Sequence, residues 1–253
     1  KMKLKENRVF GFFIIVLATI LWAVNGNVGA FLFAEKGVTP EHLVTIRLVV
    51  AGAIQLIAHG FDKTRDFCNV FKDRTDAIRL LLFAFGGLLM MQYSYFVTVK
   101  YSNAATAIVL QQFSPFFVIL LSSIIMKKLP PAKTIIALIF ALYGGFLLIT
   151  HGDIKTLVIS EKALTFGFVA TMGSTLFNIL PAPIQKKHGT LAVNGWRMII
   201  AGIFVALVAK PWEVPFIIDS ASISGILYVA ILGTLIPFLL YMNGAQILSP
   251  VVA

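Results

Sequence analysis

Apolar residues in this chain gather into long runs, with neither the one-sided stripe of a surface helix nor the alternation of a half-buried strand. Eight runs stand out, at about 9–34, 41–60, 77–99, 103–126, 132–150, 163–184, 191–209 and 222–247. A helix needs roughly 20 predominantly apolar residues to cross the hydrocarbon core. The pattern therefore predicts an all-α fold, a multi-pass transmembrane helix bundle. Gly37-Val-Thr-Pro40 and Leu129-Pro-Pro131 read as turns that open a helix, because proline is tolerated in a first turn. The longest connection, Phe61 to Asp76, carries mixed charge and reads as solvated. The first run is too long for a signal-peptide core and no small-residue cleavage site follows it, so it is predicted to stay as a helix.

The runs repeat. Arg47-Leu-Val-Val-Ala-Gly52 returns 150 positions later as Arg197-Met-Ile-Ile-Ala-Gly202. Phe10-Gly11-Phe12 returns as Phe166-Gly167-Phe168, and Thr19 to Trp22 aligns with Thr175 to Asn178. Tyr95 to Ala107 runs beside Tyr241 to Ala253 without a gap. Residues 1–152 form the first copy, with helices one to five; residues 163–253 form the second, with helices six to eight and the start of nine. Five crossings are an odd number, so the second copy is expected upside down relative to the first. Inverted repeats of this kind are characteristic of transporters. The second copy lacks the counterpart of two helices and the chain begins at Lys1, so a trimmed form of a ten-helix protein is expected.

Composition agrees with the pattern. With 58% hydrophobic and 13% charged residues and a mean hydropathy of +0.91, the chain falls outside every soluble class. A net charge of +10 raises nucleic acid as a partner, but the lysines and arginines follow the connections and form no basic domain. They give orientation instead. With the N-terminus cytoplasmic, fourteen of the 21 basic residues face inward, so the positive-inside rule favours that orientation, and the plasma membrane is the expected location. Cys68 is the single cysteine. No disulfide framework and no thiol metal site follow from it.

Polar groups at bilayer depth are the candidates for a transport path. At ~1.5 Å of rise per residue, Asn25, Gln92 and Gln112 lie at one level, just outward of the middle of helices one, three and four. Trp22 is too deep for an interfacial belt, and Tyr95 stands one turn from Gln92 on the same face. These five are predicted to line a substrate pocket. The alternative is plain packing, with amides bonded between helices at ~0.6 kcal/mol each. Thr175, Asn178 and Tyr241, on the cytoplasmic half, read as an inner gate or as packing. Arg47 and Arg197 lie near helix starts and read as side chains that snorkel to water, the alternative being a pair of gate or carboxylate-binding residues. His42, His59, His151 and His188 read as surface histidines without metal-ligand spacing. Gly86-Gly87 and Gly144-Gly145 read as points of close helix packing. No catalytic cluster, metal or cofactor is predicted. All eleven acidic residues fall in connections or at helix ends, which disfavours a proton-driven exporter of cationic drugs with a carboxylate buried at mid-membrane.

Several segments together resemble the EamA branch of the drug/metabolite transporter superfamily. They are Ala18-Thr-Ile-Leu-Trp22 followed by Asn25, the arginine opening helix two, Ser102-Asn-Ala-Ala-Thr106 with Pro115, Gly144-Gly145, and Leu232-Gly-Thr-Leu-Ile-Pro-Phe238 followed by Tyr241. The resemblance implies ten-helix carriers of two inverted five-helix repeats, and amino-acid export. Lys127 and Lys128 stand where the family commonly has a Glu, and Phe177 and Asn178 where many members have a tryptophan. The expectation is a carrier of a small polar or zwitterionic metabolite by alternating access, with the lipid bilayer as its surroundings. Uptake of a quaternary amine such as choline is an alternative. Rivals from other classes are a membrane enzyme acting on lipid or isoprenoid phosphates, and a non-transporting sensor or scaffold. Oligomeric state is not legible in the sequence.

Overall fold

A computed structural model describes residues 2–61, 68–127, 130–150 and 160–248. Among them the chain is helical, without strands. The long elements are α1 (Met2–Glu35), α2 (Pro40–Gly60), α8 (Ala132–Thr150), α9 (Glu161–Ile179) and α11 (Thr190–Ala209). The third run is α4 (Arg74–Leu82) continuing through a π-helical turn, Phe83–Leu89, into α5 (Met90–Tyr101). The last is α12 (Ser220–Ala230), a second π-helical turn, Ile231–Leu235, and α13 (Ile236–Leu248). Two short helices, α3 (Asn69–Lys72) and α10 (Ala182–His188), sit in connections. Among the described residues six helical segments are long and apolar enough to cross a membrane.

Side-chain caps set where these helices begin. Thr39 accepts from the His42 amide and Pro40 occupies the first turn of α2. Asp219 accepts from the Ser222 amide at the start of α12, and Ser160 from Ala163 at the start of α9. Each cap satisfies an amide that the first turn leaves open. The fourth run, expected as one helix, is broken. α6 (Ala104–Gln111) ends at Gln112, and α7 (Ser114–Met126) starts afresh. Pro115 explains this, since it has no N–H for the Gln111 carbonyl and its ring crowds that carbonyl. Pro237 likewise leaves the Gly233 carbonyl without its usual donor, beside the second π turn. There the Thr234 hydroxyl donates to the Val229 carbonyl at 2.7 Å. The connection read as solvated is only partly so: Val70 and Asp76 are buried.

The chain divides into two compact units that cut across the two sequence copies. The first unit comprises residues 1–80 and 183–253. Its centre is the pairing of α2 with α11, the two helices that carry the repeated hexapeptide. A Cβ on Gly52 would lie 3.0 Å from the Gly195 carbonyl oxygen and from the Ile199 amide, and one on Gly202 would lie 2.8 Å from Val49. Gly52 and Gly202 are counterparts, as are Val49 and Ile199, so the two copies meet antiparallel in matching register. Close approach here needs residues without a side chain, and van der Waals packing is what holds helices together in lipid. In the same unit α1 packs against α12 and α13, with Gly11 facing Ile247 and Gly225 facing Leu32.

The second unit comprises residues 81–182. There α9 packs against the first π turn and α5, and a Cβ on Gly87 would lie 3.3 Å from the Phe177 backbone. Each unit thus pairs the first helix of one copy with the third helix of the other. This exchange accounts for the units crossing the sequence halves. A Cβ on Gly145 would lie 3.1 Å from the Phe113 ring, whereas one on Gly144 would face open space, so Gly144 serves no close packing.

Candidate functional site

In the first unit Trp22 and Asn25, one turn apart on α1, face the second π turn and α13. The Trp22 ring meets Phe238 edge-on at 5.3 Å and Tyr241 at 5.5 Å. Phe238 and Tyr241 are themselves three residues apart, so both rings leave one face of α13. Asn25 is buried with its carboxamide against Gly233, the residue of the π turn where a Cβ would collide with it. A guanidinium completes the group: Arg197 lies over the Phe238 ring at 5.5 Å. Chemically the cluster offers three aromatic surfaces, one amide and one permanent positive charge, with no carboxylate among its members.

Arg197 is 0% exposed and Arg47 is 1% exposed. The expectation that both snorkel to water is therefore corrected. Where α2 and α11 approach through glycines, their flanking side chains are enclosed, and the ring of Phe238 takes the guanidinium of Arg197 as a cation–π partner. Sequence reasoning did not group Arg197 and Phe238 with Trp22 and Asn25. The signal was available: an arginine seven residues into a 20-residue apolar run is costly unless buried and partnered.

The other predicted residues fall in the second unit. Gln92 and Tyr95 are buried on α5, and Tyr95 packs edge-on against Phe96. Gln112 is exposed, at the break between α6 and α7. Thr175 donates to the Thr171 carbonyl at 2.8 Å, and Asn178 to the Ser174 carbonyl at 2.8 Å. Tyr241, predicted at a gate, stands in the first unit beside Trp22. A groove of about 440 Å³ between α7 and α8 includes Phe116, Leu120, Ile124 and Ile139 in its lining. It offers a polar solute little beyond Ser123 and Lys127, and none of the predicted residues lines it.

The histidines are also corrected. His42, His59 and His188 are all buried, while His151 lies outside the described residues. Position near a helix end does not imply exposure when another segment closes over that end. His42 accepts from the Thr39 amide and bonds the Val214 carbonyl at 3.0 Å. The His188 Nε2 lies 2.7 Å from Asp76 Oδ2.

Ion pairs tie the connections of the first unit. Lys36 donates to Asp219 at 2.6 Å. That bond, with the Ser222 amide, pulls the Asp219 carboxyl down to about 2. Lys187 donates to Asp76 at 2.5 Å and to Asp73 at 3.1 Å. The Asp73 carboxyl is lowered by Lys187 and then by the Thr75 amide, and the two carboxylates in turn raise the Lys187 ammonium. Among the described residues no group of three or more His, Cys, Asp or Glu is placed to hold a metal ion.

Comparison with known proteins places this arrangement. The profile of the EamA-like transporter family matches residues 9–150 and 161–253. The chain is 30% identical over 235 residues to the "uncharacterized inner membrane transporter YicL" of Salmonella typhimurium, covering 93% of this chain and 78% of that protein. It is 24% identical to the "uncharacterized transporter YyaM" of Bacillus subtilis, over 68% of this chain and 56% of that one. It is also 24% identical to "protein PecM" of Dickeya dadantii, over 62% and 53%. No solved structure matches the chain. With the family profile spanning nearly its whole length and its helices arranged for multiple crossings, the chain belongs to the EamA-like transporter family of membrane proteins.

Proposed function

We propose that this protein moves a small polar or zwitterionic metabolite, amino-acid-like and in the export direction, across the plasma membrane by alternating access. The N-terminus is cytoplasmic in this reading, and the copies at 1–152 and 163–253 rock against each other. The observation that carries it is the cluster of Trp22, Asn25, Phe238, Tyr241 and Arg197 inside membrane-crossing helices. A zwitterion's carboxylate suits the guanidinium, its apolar part suits the rings, and its remaining polar groups suit Asn25. Gln92, Tyr95 and Gln112 serve as further contacts along the path, and Thr175 and Asn178 as gate residues.

A quaternary amine would use the same rings. Against it, the permanent charge of Arg197 over Phe238 repels a cation held there. Counterflow of labelled amino acids into vesicles holding the purified protein tests the proposal. Trp22→Ala and Asn25→Ala are each expected to cut uptake at least roughly tenfold, the effect of losing one contact worth about 1.4 kcal/mol. Unchanged counterflow in both variants would sink the assignment, and choline counterflow in the native protein would favour the alternative.

A further inference from the structure

The two copies follow their hexapeptide helices with connections of opposite character. Residues 61–73, after α2, include six charged side chains, whereas residues 211–218, after α11, include one, Glu213. The second connection reads Pro-Trp-Glu-Val-Pro-Phe-Ile-Ile, yet most of it stays outside the core. Trp212 is 65% exposed and Ile218 73%, and Val214 and Ile217 are exposed beside them. Single exposed apolar residues are ordinary. Four in so short a stretch form a patch that calls for a partner.

Contacts with the turn between α1 and α2 hold these side chains on the outer surface. Lys210 takes the left-handed conformation, φ 44°, which ends α11 and turns the chain aside. A 3₁₀ turn, Pro211–Glu213, follows. The Val214 carbonyl bonds His42 Nε2 at 3.0 Å, and the Phe216 ring packs edge-on against the His42 ring at 5.0 Å. The Ile217 amide donates to the Lys36 carbonyl at 2.9 Å. Tied at these three points, the link cannot fold its remaining apolar groups inward.

The spans on either side place the link relative to the bilayer. α11 has 20 residues, about 30 Å at ~1.5 Å of rise per residue, which matches a hydrocarbon core of about 30 Å. The next span begins at Ser220. Both ends of the link therefore lie at the edge of the hydrocarbon, the level at which tryptophan collects. Irregular backbone is tolerated near lipid only where its polar groups are satisfied. Here Pro211 and Pro215 carry no N–H, and the Glu213 and Val214 amides donate to the Lys210 and Pro211 carbonyls at 2.9 and 3.1 Å. We propose that residues 211–218 form an interfacial anchor, with Trp212, Val214, Ile217 and Ile218 set into the boundary between lipid headgroups and acyl chains. The nearest lysines are both paired, Lys36 with Asp219 and Lys210 with Glu213. Apolar burial therefore holds the anchor, without a need for anionic headgroups.

The full chain with Trp22→Phe and Trp196→Phe keeps Trp212 as its single tryptophan. In phosphatidylcholine vesicles its emission should be lost most to lipid brominated near the glycerol end of the acyl chain, less to lipid brominated near the methyl end, and little to acrylamide in the water. Adding phosphatidylglycerol should change none of this. Quenching by acrylamide without quenching by bromolipid, the behaviour of a solvated loop, overturns the proposal. Shielding from both, as a second copy of the chain or another protein on the patch would give, overturns it too. So does bromolipid quenching that develops only with phosphatidylglycerol. If the single-tryptophan protein is not monodisperse, a nitroxide label decides, on a Cys68→Ser background. Attached through Ile218→Cys, it should collide more with oxygen dissolved in the lipid than with an aqueous nickel chelate. Attached through Lys72→Cys, an exposed position in the charged connection, it should show the reverse. Equal access of the chelate to both labels overturns the proposal. No solute is transported in either measurement, so the anchor is tested apart from the carrier reading.

Discussion

Gly52 is the residue whose replacement bears most directly on how the two copies are joined. An alanine Cβ there would lie 3.0 Å from the Gly195 carbonyl oxygen and 3.0 Å from the Ile199 amide nitrogen. Both are backbone atoms, which cannot rotate aside, so α2 and α11 must separate by a few tenths of an ångström. Overpacking of this kind costs about 1–3 kcal/mol, and the separation also weakens the contacts of Gly202 with Val49 and of Gly195 with Leu56. Alanine returns up to ~1 kcal/mol through helix propensity. The net expectation for Gly52→Ala is a loss of about 1–2 kcal/mol. Gly144→Ala is the control, since a Cβ there meets nothing within 4 Å, and it should be neutral or gain up to ~1 kcal/mol. Reversible unfolding in bicelles, titrated with dodecyl sulfate and followed by circular dichroism, measures both. Equal stability of Gly52→Ala and Gly144→Ala would refute the close α2–α11 crossing.

Other expectations follow from particular contacts. Asp219 is held near 2, below its ordinary value of 3.8, first by Lys36 and then by the Ser222 amide. A depressed carboxyl stabilises above its ordinary value and ceases to as pH falls through its folded one, so the Lys36–Asp219 pair should open between about pH 4 and 2. Amide exchange at Ser222, corrected for its intrinsic rate, should accelerate in that window and already be fast at neutral pH in Asp219→Ala, which removes the cap oxygen. Phe238→Ala should cost about 3–5 kcal/mol and Phe238→Leu under ~1.5, read by the same unfolding titration, because the ring is buried between Trp22 and Arg197. Thr39→Val should cost about 1 kcal/mol through loss of the α2 cap, with fraying visible in exchange of the His42 amide.

Hydropathy made most helices legible, since a bilayer demands long apolar runs and this chain supplies them with little ambiguity. The copy-to-copy match of Gly52 with Gly202 went further, foreshadowing the contact in which each meets the other copy's Val49 or Ile199. Partners were not legible. Apolar runs show that α1 and α11 can cross a bilayer but not what packs against them, and so the burial of Arg197 against Phe238 was misread. The buried histidines failed for the same reason, as His42 is enclosed by Val214 and Phe216 from a distant connection. The turn at Phe83–Leu89 had no signature beyond Gly86-Gly87, whereas Pro237 gave a reason for the one at Ile231–Leu235. The Lys36–Asp219 and Lys187–Asp73 ion pairs were not legible either, because charge pattern shows which connections are polar but not which of them meet.

That one fold is written twice and inverted is the claim on which the carrier reading depends. With Cys68→Ser as background, single cysteines at the exposed positions Glu35 and Lys186 can be labelled on intact cells with a membrane-impermeant maleimide. The cysteine of Glu35→Cys should react from outside, and that of Lys186→Cys only after the cells are permeabilised. Reaction of both from the same side would contradict the inverted repeat.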